Sequence, residues 1–129
     1  MKVLLDTHAW LWMMAEPERL SPASRELLAS AETAVHVSAA SAWEIGIKHA
    51  LGRLPLPAPP EDLVPFWLQR SNATALPIDM SHVLAAAALP NHHRDLFDRV
   101  LIAQSRLERL PLLTADPQFD AYEVEVLKA

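Results

Sequence analysis

After Lys2, the run Val3-Leu4-Leu5 offers apolar side chains to both faces of any strand it forms, and it ends at an acid, Asp6. Successive strand side chains point to opposite faces, so an all-apolar run needs cover on both sides, as in a parallel sheet flanked by helices. The rest of the chain alternates in the same sense. Residues 8–20, HAWLWMMAEPERL, predict a helix running to Pro17, and Ser21-Pro22 supplies an N-cap and first-turn proline for another. AVHVS, 34–38, is a second strand. SAWEIGIKHALG, 41–52, follows as a helix with Gly52 as its C-cap. RLPLPAPP, 53–60, carries Pro55, Pro57, Pro59 and Pro60 and can only be a loop or extended arm.

EDLVPFWLQR, 61–70, predicts a helix, ALPI, 75–78, a third strand, and Asp79 or Ser81 caps a helix through HVLAAAAL that Pro90 ends. NHHR, 91–94, is a loop. Asp95 caps LFDRVLIAQSRLERL, and PLLTAD, 111–116, is a fourth strand ending at another aspartate. YEVEVL, 122–127, alternates with period two, as an edge strand does. The expected fold is a three-layer α/β/α sandwich with a mostly parallel central sheet, one domain over 1–129. In such sheets ligands bind beyond the carboxyl ends of the strands.

A chain of 129 residues can bury a core without staples. It has no cysteine, which excludes thiol catalysis and cysteine zinc sites. The apolar run before Asp6 is too short for a signal-peptide core or a membrane span, so a soluble, cytoplasmic protein is expected. The net charge of −5 excludes a general basic coat for nucleic acid. Four clustered carboxylates account for −4 of it and leave −1 elsewhere (−5 + 4 = −1), so affinity for a polyanion must be local.

Those four acids are Asp6, Glu44, Asp98 and Asp116. Asp6 and Asp116 fall at carboxyl ends of strands, and Glu44 and Asp98 fall in first turns of helices, so all can face one crevice. Two carboxylates about 5 Å apart at an effective dielectric near 20 repel by roughly 3 kcal/mol, so such a cluster needs a cation or a bound proton. Hard oxygen donors without sulfur point to magnesium, or manganese. Each acid also has a simpler explanation. Ser41-Ala42-Trp43-Glu44 matches a capping box. Asp98 favours the helix dipole, and Asp116 suits a turn before Pro117. Asp6 resists this treatment, because an acid directly after a buried strand is exposed only at the sheet's ligand edge.

The segments LLDTHAWLW, VSAASAWEIGIKHALGRL and LPNHHRDLFDRVLIAQSRLERLPLLTADPQFDAY together resemble the PIN-domain family, and within it the VapC-like toxins of toxin–antitoxin pairs. The ordered set DTH, WEI, RDxFDR-x-LIAQ and TADxxF carries the resemblance over essentially the whole chain. Leu96 departs from it, standing where the family often has proline. The resemblance implies a magnesium-dependent endoribonuclease with Asp6, Glu44, Asp98 and Asp116 as metal-binding acids and Thr7 and Thr114 as supporting hydroxyls. It also implies an RNA substrate, a VapB-like antitoxin and a homodimer. Hydrolysis by metal-activated water would leave 5′-phosphate and 3′-hydroxyl ends.

Asp95 reads first as a helix cap, with a second metal or Arg99 as other partners, and Arg94 and Arg99 are candidates for phosphate. His8, His92 and His93 lack the spacing of a histidine metal site. Trp43 is expected in the core. The helix with Trp10, Leu11, Trp12, Met13 and Met14, the proline arm, and Phe66-Trp67 hold more large apolar groups than one small core needs, which suggests a partner groove. Two other readings fit less well. A phosphoacceptor receiver domain wants paired acids after the first strand and a lysine ending a late one, and neither is here. A non-catalytic PIN-like binding module would have lost one of the four acids.

Overall fold

Lys2–Leu5 forms strand β1 at the centre of a five-stranded, wholly parallel sheet. The computed structural model describes residues 1–91 and 95–129, so the expectations for His92, His93 and Arg94 lie outside the described residues. After β1 come α1 (Thr7–Ala15), a 3-10 turn (Pro17–Arg19) and α2 (Pro22–Ala29). Then follow β2 (Ala34–Ser38), α3 (Ala39–Ala50), α4 (Pro60–Ser71) and β3 (Thr74–Leu76). The chain continues through α5 (Met80–Ala88), α6 (Leu96–Glu108), β4 (Leu112–Thr114), a second 3-10 turn (Pro117–Ala121) and β5 (Val126–Lys128).

The strand order is β3-β2-β1-β4-β5. The chain moves outward from β1 to β3, then returns to the other side of β1 for β4, so the direction of winding reverses between β1 and β4. Helices leave neighbouring strands on opposite sides there, which opens a crevice at the strands' carboxyl ends. Two cores explain the three layers. Val3 and Leu5 face Trp10, Ile45, Leu63 and Trp67 from α1, α3 and α4, whereas Leu4 faces Leu89, Leu101, Ile102 and Phe119. Alternation along Val3, Leu4 and Leu5 thus fills both sides, as their apolar run required.

Several local expectations need correction. The first helix ends at Ala15, and only a 3-10 turn follows Pro17. Helix α3 begins at Ala39, with Ser38 as N-cap accepting from Ala40 N at 3.0 Å. Strand β2 therefore passes straight into helix, Ser41 lies inside it, and the capping-box explanation of Glu44 fails. Trp43 is 61% exposed and not in the core; it meets Phe97 edge-on at 5.3 Å. The buried face of α3 carries Ala40, Ser41, Glu44 and Ile45, and helical periodicity turns Trp43 away from it. The last strand is three residues at the sheet edge, because Tyr122 already packs under the sheet with Phe119.

Helix α3 closes with Leu51 as C-cap and Gly52 at φ +73°, a left-handed conformation that favours glycine. Gly52 N donates to His49 O at 3.0 Å and Arg53 N to Lys48 O at 2.9 Å. This paired closure holds Arg53 against the last turn of the helix.

Candidate metal centre

Asp6 leaves β1 and caps α1. Its Oδ1 accepts from Ala9 N at 2.7 Å and its Oδ2 from the Thr114 hydroxyl at 2.5 Å, so a carboxylate only 4% exposed is fixed from both sides. Thr114, the last residue of β4, also accepts from Asp116 N at 3.0 Å. One hydroxyl thereby ties the end of β1 to the acid after β4. Thr7, beside Asp6, donates to Ser41 Oγ at 3.0 Å and joins α1 to α3 one turn before Glu44. Ser41 itself carried no signal beyond the box motif.

Glu44 is 3% exposed. Its Oε2 accepts from Lys48 Nζ at 2.5 Å, while Oε1 is buried with no hydrogen-bond partner among the described residues. Burying a carboxylate oxygen without a donor is costly, and native structures rarely do so without cause. Asp98, on the first turn of α6, is pushed up to about 8, chiefly by burial, then by Asp95, Glu44, Asp6 and Asp116. That set of neighbours places all four acids in one electrostatic group. Burial also raises Asp6, against the hydrogen bonds from Thr114 and Ala9 and the charge of His8, with Asp116 adding to the rise.

The flanking residues divide. Asp95 is the N-cap of α6, its Oδ1 accepting from Asp98 N at 3.0 Å. Asp116 is at once a member of the acidic group and the N-cap of the second 3-10 turn, accepting from Gln118 N at 2.9 Å. Arg99 donates to the carbonyls of Ala86, Leu89 and Pro90 at 2.8, 2.9 and 3.2 Å, which ties it to the C-terminus of α5. Lys48, not singled out from sequence, stands nearest to Glu44; the signal for it was the Glu-to-Lys spacing of four on a helix.

The donors fit a hard divalent cation. They are carboxylate oxygens supported by hydroxyls, one carboxylate oxygen lacks a partner among the described residues, and burial together with the neighbouring acids raises Asp98. Asp6, Glu44, Asp98 and Asp116 are the residues that would hold it. A second titratable group, Asp79, His82 and Glu108, lies elsewhere, between α5 and α6. There the Nδ1 of buried His82 accepts from Asp79 N at 2.9 Å, and its Nε2 faces Glu108 Oε1 at 3.1 Å. Both ring nitrogens are engaged within the protein.

Comparison with known proteins bears on the same geometry. The chain is 37% identical over 59 residues to ribonuclease VapC16 of Mycobacterium tuberculosis, a stretch covering 46% of this chain and 42% of that protein's length. In fold it is similar to VapBC2 of Rickettsia felis, solved bound to a DNA fragment from its promoter, with a TM-score of 0.73, 13% identity and 98% of each chain covered. It is also similar to FitAcB of Neisseria gonorrhoeae, with a TM-score of 0.64, 22% identity, and 99% and 97% covered. The family model for the PIN domain matches residues 3–125, from β1 to the approach to β5, and the chain therefore belongs to the PIN-domain family.

Proposed function

We propose that this protein is a divalent-cation-dependent endoribonuclease and the toxin of a toxin–antitoxin pair. The observation that carries this reading is the convergence of four acids, from β1, α3, α6 and the turn after β4, on the crevice where the winding of the sheet reverses. One of their buried oxygens, Glu44 Oε1, has no partner among the described residues. The ribonuclease relative named above supports the choice of substrate.

A bound magnesium or manganese ion would supply positive charge to acidify water and to offset the charge of a phosphodiester. The chain's own part is positioning. Asp6 is held by two donors and cannot turn away, Thr114 couples it to Asp116, and the Thr7–Ser41 contact fixes α3 relative to α1. Release of the proton held by Asp98 would accompany cation binding, because an added positive charge favours the carboxylate. Hydrolysis then breaks the bond between phosphorus and the 3′-oxygen, leaving a 5′-phosphate and a 3′-hydroxyl.

The partner reading rests on a cavity of about 360 Å³ between α1, the proline arm and α4, lined by Leu11, Trp12, Met14, Leu54, Leu56 and Trp67 among others. An amphipathic antitoxin helix suits such a surface. Trp10 is fully buried in the core and contributes nothing to that groove. A homodimer belongs to the same reading. No helix among the described residues is long and apolar enough to cross a membrane.

The test is cleavage of RNA by purified protein. Cutting with magnesium or manganese, arrest by excess chelator, and 5′-phosphate ends are expected. Undiminished cutting in chelator, or 2′,3′-cyclic phosphate products, would contradict the reading.

A further inference from the structure

We infer that Lys48 is an exchangeable counter-ion for Glu44: it neutralises that carboxylate while no cation is bound and yields it when one arrives. The inference rests on the proposed cation-dependent function. Glu44 and Lys48 sit four apart on α3 with the acid nearer the N-terminus, a favourable order for a helical pair. Most such pairs lie in solvent. Here the carboxylate is 3% exposed while the Lys48 side chain is 37% exposed, so an anchored acid is matched to a cation that keeps a route to water.

The pairing is also incomplete. Lys48 engages Oε2 alone, and Oε1 stays buried without a partner among the described residues. A structural ion pair evolved to be permanent would satisfy both oxygens, since an unmet buried oxygen costs as much as a lost hydrogen bond. Glu44 thus keeps one oxygen in reserve for a further positive group.

Released, the ammonium has somewhere to go. A cavity of about 310 Å³ beside the acids is lined by Lys48, Arg53, His8, Thr7 and Glu44. Arg53 is exposed and held beside Lys48 by the closure of α3 at Gly52. Two neighbouring cations without an acid beyond Glu44 in that lining suit a phosphate of the RNA chain, and the charge of Lys48 turns from acid to phosphate as the cation takes Glu44. Lys48 is a positioning residue in this scheme, not a catalytic one.

The experiment measures Mn²⁺ binding to the full chain, by its paramagnetic resonance signal, for wild type, Lys48→Met and Lys48→Arg, and acylation of lysines with and without the ion. Lys48→Met removes a competing cation and is expected to bind Mn²⁺ about tenfold more tightly or better, while Lys48→Arg stays near wild type. Acylation of Lys48 in the wild type rises on adding Mn²⁺, with Lys2 and Lys128 unchanged as controls. Equal or weaker Mn²⁺ binding by Lys48→Met, or Lys48 acylation that stays flat at saturating Mn²⁺, overturns the counter-ion role and leaves the cation site standing. A wild type that binds no Mn²⁺ overturns both. Should Lys48→Met fail to fold, acylation of the wild type decides alone.

Discussion

Two groups of titratable side chains in this molecule invite the same first guess, and their hydrogen bonds separate them. In the Asp79–His82–Glu108 group the histidine accepts from a backbone N–H at one nitrogen and so carries its proton on the other, toward a carboxylate. Gln104 adds a bond to Pro77 O, and only its neutral Oε1 is left over. This group joins α5 to α6, with both ring nitrogens of His82 engaged. In the Asp6–Glu44–Asp98–Asp116 group an oxygen of Glu44 has no partner among the described residues, and Asp98 is driven up to about 8 by burial and by the other acids. Engaged ring nitrogens mark a structural network; a buried carboxylate oxygen without a donor among the described residues, at a sheet's carboxyl edge, marks a site built for something that arrives.

The comparison predicts opposite consequences for substitution. Asp98→Asn is expected to lower the rate of RNA cleavage by more than about a hundredfold with the fold intact, since it removes a charge from the cation's surroundings. His82→Ala is expected to leave the cleavage rate within a few-fold of wild type at a temperature where both are folded. Equal losses in the two variants would erase the distinction. The stability readout runs the other way: His82→Ala leaves Asp79 N and Glu108 without their partner and costs about 1–3 kcal/mol, measurable by denaturant unfolding. A neutral effect would mean that the α5–α6 network does not hold the helices.

How much of this was legible in the sequence depended on how local each cause was. Asp6 was readable because an apolar strand ending in an acid leaves that acid one place to be, and Asp95 and Ser21 were readable as caps because capping is settled within four residues. The start of α3 was not, since Ser38 and Ser41 offer the same chemistry and only the join between β2 and the helix chooses Ser38. The exposure of Trp43 is not legible in sequence, because Ile45 and Ile47 are also apolar and hydropathy alone leaves the phase of α3 undetermined. Arg99 was beyond reach: its carbonyl partners lie on α5, and no spacing on α6 announces them. The fold class was therefore legible, whereas the part each flanking residue plays depended on tertiary packing.

A smaller effect follows from titration. Asp98 has an ordinary value of 3.8 and rises to about 8 in the folded chain, so between those values the folded state holds a proton that the unfolded state gives up. Its penalty is absent below the lower value, grows as pH climbs and is complete above the upper one, so metal-free protein should lose stability between pH of about 4 and about 8. Burial raises Asp6 and acts in the same direction. Melting curves in chelator across that range should slope downward for wild type and less steeply for Asp98→Asn. Parallel slopes would place the stored repulsion elsewhere.

The measurement that bears most directly on the acidic group is thermal unfolding of wild type and Asp98→Asn, each in chelator and in magnesium. If the carboxylates converge on a cation, Asp98→Asn melts higher than wild type in chelator, because the cost of burying that carboxyl among other acids has gone. Magnesium then stabilises wild type as RT ln(1 + [L]/Kd), roughly 2.7 kcal/mol at about a hundredfold excess over Kd, and stabilises the variant far less. A variant that melts lower than wild type in chelator, by the roughly 0.3–1 kcal/mol expected for losing a favourable charge at a helix start, together with a wild type indifferent to magnesium, would contradict the account.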